Sequence, residues 1–137
     1  MKTARHTDGL FWLMALSLIY CVASFVHFFH NAEYLRQYPN MPVWISRAQV
    51  YATWLGITAV GAIGLLVVRS RFAPAGLVLI AVYAALGFDG LAHYALAPFS
   101  AHTPAMNLTI WFEVAAAAAL LVCALRRLYR EGLRLGT

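Results

Sequence analysis

Four apolar runs, at 9–29, 50–68, 72–88 and 106–125, constrain what this chain can become more than any other feature. Each approaches the roughly 20 residues that an α-helix, rising ~1.5 Å per residue, needs to cross about 30 Å of hydrocarbon. Within hydrocarbon every backbone N–H and C=O must be satisfied inside the segment, so a spanning run of this length has to be helical. With 63% hydrophobic and only 11% charged residues among 137, the composition lies outside that of soluble domains and leaves no room for a separate one. The sequence therefore predicts an all-α fold, a polytopic integral membrane protein built as one four-transmembrane-helix bundle. Its spans are expected at about 9–30, 48–68, 72–94 and 105–126, followed by a basic cytoplasmic tail over 127–137.

Charge sets the expected orientation. Lys2 and Arg5 precede the first run, Arg69 and Arg71 sit in the short turn after the second, and Arg126, Arg127, Arg130 and Arg134 follow the fourth. Only Arg36 and Arg47 fall on the other side, so the positive-inside rule predicts both termini in the cytoplasm, in the inner membrane of a bacterium-like cell. The same placement accounts for the net charge of +5 without nucleic acid, which is not an expected partner. Lys2 and Arg5 ahead of an apolar stretch also suit a signal peptide, but the run exceeds a typical leader core. Moreover, bulky Tyr20 precedes Cys21 where a lipoprotein cleavage box wants a small residue, so we expect a retained first span.

The connections carry their own signals. The first outer segment, about 31–47, holds Tyr34, Tyr38, Pro39, Pro42 and Trp44, residues that end a helix and suit a headgroup region. Tyr51, Trp54 and Trp111 are assigned to the same aromatic belt. Arg69, Ser70 and Arg71 before Pro74 predict a tight hairpin, and the uncharged loop at 95–104 is bounded by Pro98 and Pro104. Gly56, Gly61 and Gly64 in the second run and Ala115 to Ala119 in the fourth suit close helix contact, or equally a lipid-facing surface. Cys21 and Cys123 lack CxxC spacing, lie at different depths and read as small apolar residues.

The chemistry is concentrated at one end. His27, His30, His93 and His102, four of five histidines, and Glu33, Asp89 and Glu113, three of five acidic residues, fall at the same ends of the apolar runs. Ionisable groups at membrane depth are expensive and mark functional sites. Seventeen steps from Phe72 bring Asp89 ~25 Å along its helix and eighteen from Gly9 bring His27 ~27 Å, whereas Glu113 lies about 10 Å inward from the outer boundary. Spacings of three and four predict inward stripes of Tyr20, Ser24, His27 and Asn31; of Arg47, Tyr51, Trp54 and Thr58; of Val82, Leu86, Asp89 and His93; and of Met106, Thr109 and Glu113.

From these stripes we expect His27, His30, Asp89, His93 and Glu113 as ligands to a transition metal, Zn or Fe, because imidazole and carboxylate on several helices suit those ions better than Ca²⁺ or Mg²⁺. Glu113 and Asp89 are the expected catalytic acid and base, although Glu113 equally suits a protonated, hydrogen-bonded carboxylic acid. Asn31, Glu33, Arg36, Arg47, Tyr51 and His102 form the expected ligand-binding rim. Glu33 is expected in a solvated ion pair near Arg36, and His102 either caps the site or faces solvent.

Three functions follow from these expectations. The first is a metal-dependent membrane enzyme acting on a small lipid-soluble or outer-face substrate. The second is a metal-free isomerising or lipid-binding pocket. In its small bundle, long first outer loop and intramembrane acidic groups and histidine, the chain is similar to EXPERA-type membrane proteins related to sterol isomerase, a likeness of layout that implies no residue roles. The third is a haem protein ligated by His27 or His30 with His93, or else a transport or accessory subunit. Membrane lipid is the expected partner; a homo-oligomer or a larger membrane complex stays open.

Overall fold

Each helix begins and ends where local chemistry requires. The computed structural model describes residues 2–135, with side chains described for 9–133. The side chains of Lys2, Arg5 and Arg134, on which the expected orientation partly rests, lie outside that range. Helix α1 (Lys2–Glu33) gives way to a 3₁₀ turn at Leu35–Gln37 and an irregular loop. Helix α2 (Arg47–Val68) opens on a capping box, in which Ser46 accepts from the Gln49 N–H while the Gln49 side chain accepts from the Ser46 N–H. Helix α3 (Ala73–Leu86) carries proline in its first turn, where no N–H is missed. A 3₁₀ turn at Asp89–Ala92 leads into one turn of helix, α4 (His93–Leu96), and a last 3₁₀ turn at Phe99–Ala101 precedes α5 (Pro104–Leu135). Thr103 caps α5 by accepting from the Met106 N–H at 3.3 Å.

Four stretches are long and apolar enough to cross a membrane: Gly9–Glu33, Arg47–Val68, Ala73–Leu96 and Pro104–Leu133. They lie over the four apolar runs; the third is broken after Leu86, and α5 runs without a break through the basic segment to Leu135. The bundle's outer surface is apolar. Phe11, Leu18, Leu55, Leu66 and Leu108 are all exposed.

Helix α3 packs against both α2 and α5, and α1 packs mainly against α5. Close approach of α2 and α3 depends on absent side chains: a Cβ on Gly61 would lie 2.5 Å from the Tyr83 ring, and one on Gly76 would lie 2.4 Å from the Val68 amide nitrogen. Gly64 is buried against Ile80, whereas Gly56 faces open space, so two of the three glycines expected at a contact are there. In α5, Ala116 and Ala117 are buried while Ala115 and Ala119 are exposed. One end of the bundle has an apolar core of Leu13, Val68, Leu77, Ile80, Leu120 and Ala124; a smaller cluster of Phe28, Ala32, Leu35 and Val50 flanks the other. Cys21 and Cys123 are free thiols.

The two loops at the histidine-bearing end are joined. Asn40, in the left-handed region at φ 56°, donates from its side-chain amide to the Leu96 carbonyl at 2.8 Å. Asn tolerates that conformation better than other side-chain-bearing residues, and here it leaves the amide free to reach the end of α4.

Candidate functional site

The predicted stripe on α1 is the buried one. Tyr20, Ser24, His27 and Asn31 are each at most 9% exposed, and on α5 the predicted Met106, Thr109 and Glu113 are buried as well. Because α1 and α5 pack directly against each other, His27 meets Thr109 and Glu113 across their contact.

Hydrogen-bond accounting orients this group. The Thr109 hydroxyl donates its only proton to the Met106 carbonyl at 3.0 Å, so its oxygen accepts from Nδ1–H of His27 at 3.3 Å. That leaves Nε2 of His27 as the lone-pair nitrogen, and it faces Oε2 of Glu113 at 3.7 Å. The separation exceeds hydrogen-bond reach, and among the described residues neither Glu113 oxygen has a hydrogen-bond partner. Gly90 borders the pair: a Cβ there would come within 3.4 Å of Oε2 and 3.6 Å of Nε2.

A second layer lies toward the loops. His93 accepts from the Asn31 side-chain amide at 3.3 Å, and its ring lies 4.7 Å from Tyr38, 5.5 Å from His27 and 6.2 Å from His102. The Tyr38 hydroxyl is bonded to Nδ1 of His30 at 2.9 Å. His30 and Tyr38 thus form one bonded pair toward the loops, and Thr109 and His27 another beside Glu113. Burial pushes the Tyr38 hydroxyl up to about 12. His102 is buried, donates from Nδ1 to the Pro98 carbonyl at 3.1 Å and has no partner at Nε2 among the described residues, so it closes the site and does not face solvent.

Several expectations need correction. The stripe Val82, Leu86, Asp89 and His93 does not share a face: Val82, Leu86 and Asp89 are exposed and only His93 is buried. The cause is the break after Leu86, since a 3₁₀ segment repeats every three residues and so buries Gly87, Gly90 and His93 in one row. Asp89 is thus exposed, with its carboxyl still within electrostatic reach of Glu113. Glu33 pairs with Arg47 and accepts from the Tyr51 hydroxyl, not with Arg36, which donates to the Val43 carbonyl. Tyr38, assigned to the aromatic belt, is 3% exposed and belongs to the site, while Tyr34, Trp44 and Trp111 are exposed as expected. On α2, Trp54 donates to Ser24 at 3.2 Å.

The five side chains expected around a metal do not converge. His30 is engaged by Tyr38, His93 by Asn31, and Asp89 is exposed; among the described residues no group of three or more His, Cys, Asp or Glu side chains is placed to hold an ion. The rings of His27 and His93 are in edge-to-face contact, so a macrocycle would have to part them. Tyr38 and Asn107 are the site residues the sequence did not single out. Asn107 accepts from the Tyr94 hydroxyl at 2.9 Å and donates to the carbonyls of Phe99 and His102. Its position one residue from the predicted stripe at Met106 was the available signal.

No family model matches the chain, and neither a curated protein nor a solved structure matches it.

Proposed function

We propose that this chain is an integral membrane protein of four spans, both termini cytoplasmic, whose outer half holds a metal-free proton-exchanging site serving a lipid-soluble substrate. The apolar outer surface supports insertion, and Arg69, Arg71, Arg126, Arg127 and Arg130 at one end against Arg36 and Arg47 at the other support the orientation. The expected inner-membrane location is part of the same proposal.

The single observation that carries the chemistry is the buried His27–Glu113 pair. An acid and a lone-pair nitrogen side by side can catalyse an isomerisation without a co-reactant. His27 Nε2 takes a proton from the substrate, Glu113 gives one to another substrate atom, and the pair resets when the imidazolium returns its proton to the carboxylate. The proton count closes on the protein's own residues, with His93 in ring contact with His27 and bonded to Asn31 toward the loops. The metal-dependent reading is less favoured because, among the described residues, no three His, Cys, Asp or Glu side chains are placed to hold one ion.

The test is infrared spectroscopy and deuterium uptake in proteoliposomes. A carbonyl-stretch band of a neutral carboxyl should disappear in Glu113→Gln, shift in His27→Ala and persist in Glu33→Gln. Unsaturated isoprenoid alcohols supplied in D₂O should gain deuterium with the wild-type protein and not with Glu113→Gln. Uptake unchanged by Glu113→Gln would overturn the proposal.

A further inference from the structure

A groove of about 590 Å³ opens beside the site between α1, the first loop and the start of α2, lined by Phe28, Asn31, Met41, Trp44, Ile45 and Val50 among others. That volume falls within the range of small-molecule pockets, about 300–1,000 Å³. Its lining contains no charged side chain, and Gln49, which also borders it, is committed to the capping box of α2. The one buried polar group in the lining is Asn31, 9% exposed. Its amide nitrogen is taken by His93, and its carbonyl oxygen Oδ1 is buried with no hydrogen-bond partner among the described residues.

We infer that this groove binds a neutral amphiphile whose polar end is a hydroxyl donating to Oδ1 of Asn31, with its chain along Phe28, Met41, Ile45 and Val50. Each part of the ligand follows from a part of the site. The uncharged lining selects a neutral molecule, the apolar walls select a hydrocarbon body, and a buried carbonyl oxygen left without a donor selects a hydroxyl. The inference rests on the proposed function only in equating this ligand with the substrate. Through Asn31 and His93 the hydroxyl end is two side chains from His27.

The experiment uses the full chain in phosphatidylcholine vesicles and two photoreactive probes of identical chain, a diazirine-bearing long-chain alcohol and its methyl ether, which accepts but cannot donate. The alcohol is expected to label residues 41–53 roughly fivefold more than the ether, the worth of about one hydrogen bond. Asn31→Leu should bring alcohol labelling down to the ether's level, and Val50→Trp, which fills the groove, should remove labelling by both; helix content by circular dichroism checks that each variant folds. Glu113→Gln should leave labelling intact, so loss of proton exchange alone counts against the proposed function and not against this site. Equal labelling by alcohol and ether, or labelling spread evenly over outward residues such as Leu18, Leu55 and Leu66, would mean that bilayer chains fill the groove and would overturn the inference.

Discussion

Nε2 of His27 and Oε2 of Glu113 stand 3.7 Å apart in the interior of the bundle, too far for a hydrogen bond and too close for either group to be indifferent to the other's proton. Glu113 is fully buried and its two oxygens have no hydrogen-bond partner among the described residues. Buried polar groups are normally satisfied, and one left without a partner carries a desolvation cost of about 1–3 kcal/mol. A fold that retains such a group has given up stability at that position, a pattern typical of functional sites.

Replacing the carboxyl should recover that stability. Glu113→Leu, of similar volume, is expected to raise the unfolding free energy by about 1–3 kcal/mol. His27→Ala, which opens a cavity, should lower it by about 2 kcal/mol. Equilibrium unfolding in mixed micelles measures both. A Glu113→Leu protein less stable than wild type would show that the carboxyl is held by a partner.

The glycines should separate into two groups. A Cβ at Gly76 would lie 2.4 Å from the Val68 backbone nitrogen, and one at Gly87 would lie 2.6 Å from the Tyr20 ring and 2.7 Å from Ala117 Cβ, so alanine at either position forces the helices apart. We expect losses of about 1–3 kcal/mol for each. Gly90→Ala meets nothing closer than 3.4 Å and should change stability by less than about 1 kcal/mol, yet perturb the Glu113 carboxyl band, because its nearest neighbour is Oε2. Unfolding midpoints and infrared spectra of the three variants check the ordering.

Alkaline pH offers a test of Tyr38. Its hydroxyl is raised from 10.0 to about 12 by burial, so between these values the unfolded chain has lost this proton while the folded chain keeps it. The folded state then binds more protons than the unfolded state, and stability falls as pH rises from about 10 to about 12. Tyr38→Phe removes this contribution and should lose stability more slowly over that window. At neutral pH the same variant should be less stable than wild type by about 1 kcal/mol, having lost the bond to His30. Denaturant midpoints measured against pH give both results, and parallel wild-type and variant profiles would contradict the assignment.

Metal removal should be without effect. Prolonged chelation is expected to leave the unfolding midpoint and deuterium uptake unchanged, with zinc and iron below stoichiometric by elemental analysis. Stoichiometric metal that disappears in His27→Ala or His93→Ala would restore the metal-dependent reading.

How much of this could be read from the sequence depended on helix regularity. On α1 and α5, unbroken helices of 32 residues each, spacings of three and four located His27, Asn31, Thr109 and Glu113 on their buried faces. The same rule failed at the end of the third span because it assumed one helix from 72 to 94. Gly87 and Gly90, spaced by three, were the available sign that the period changes there, and with it the side to which Asp89 belongs. Tyr38 escaped for a different reason. Its place against His93 depends on how a loop carrying Pro39 and Pro42 folds back, and no periodicity encodes that. Convergence on a metal failed because spacing fixes which side of a helix a residue occupies, while ligation depends on partners such as Tyr38 and Asn31 that claim the same nitrogens first.

Asn40's bond to the Leu96 carbonyl makes the covering over the histidines a single piece, although its halves are 56 residues apart in the chain. Anything engineered into one half will be felt in the other. An epitope tag or fusion junction placed near 38–44 would disturb the ceiling above His93 and His102 as surely as one placed near 96–102. The far end of the bundle, where α5 simply runs on to Leu135, is the safer place for a handle.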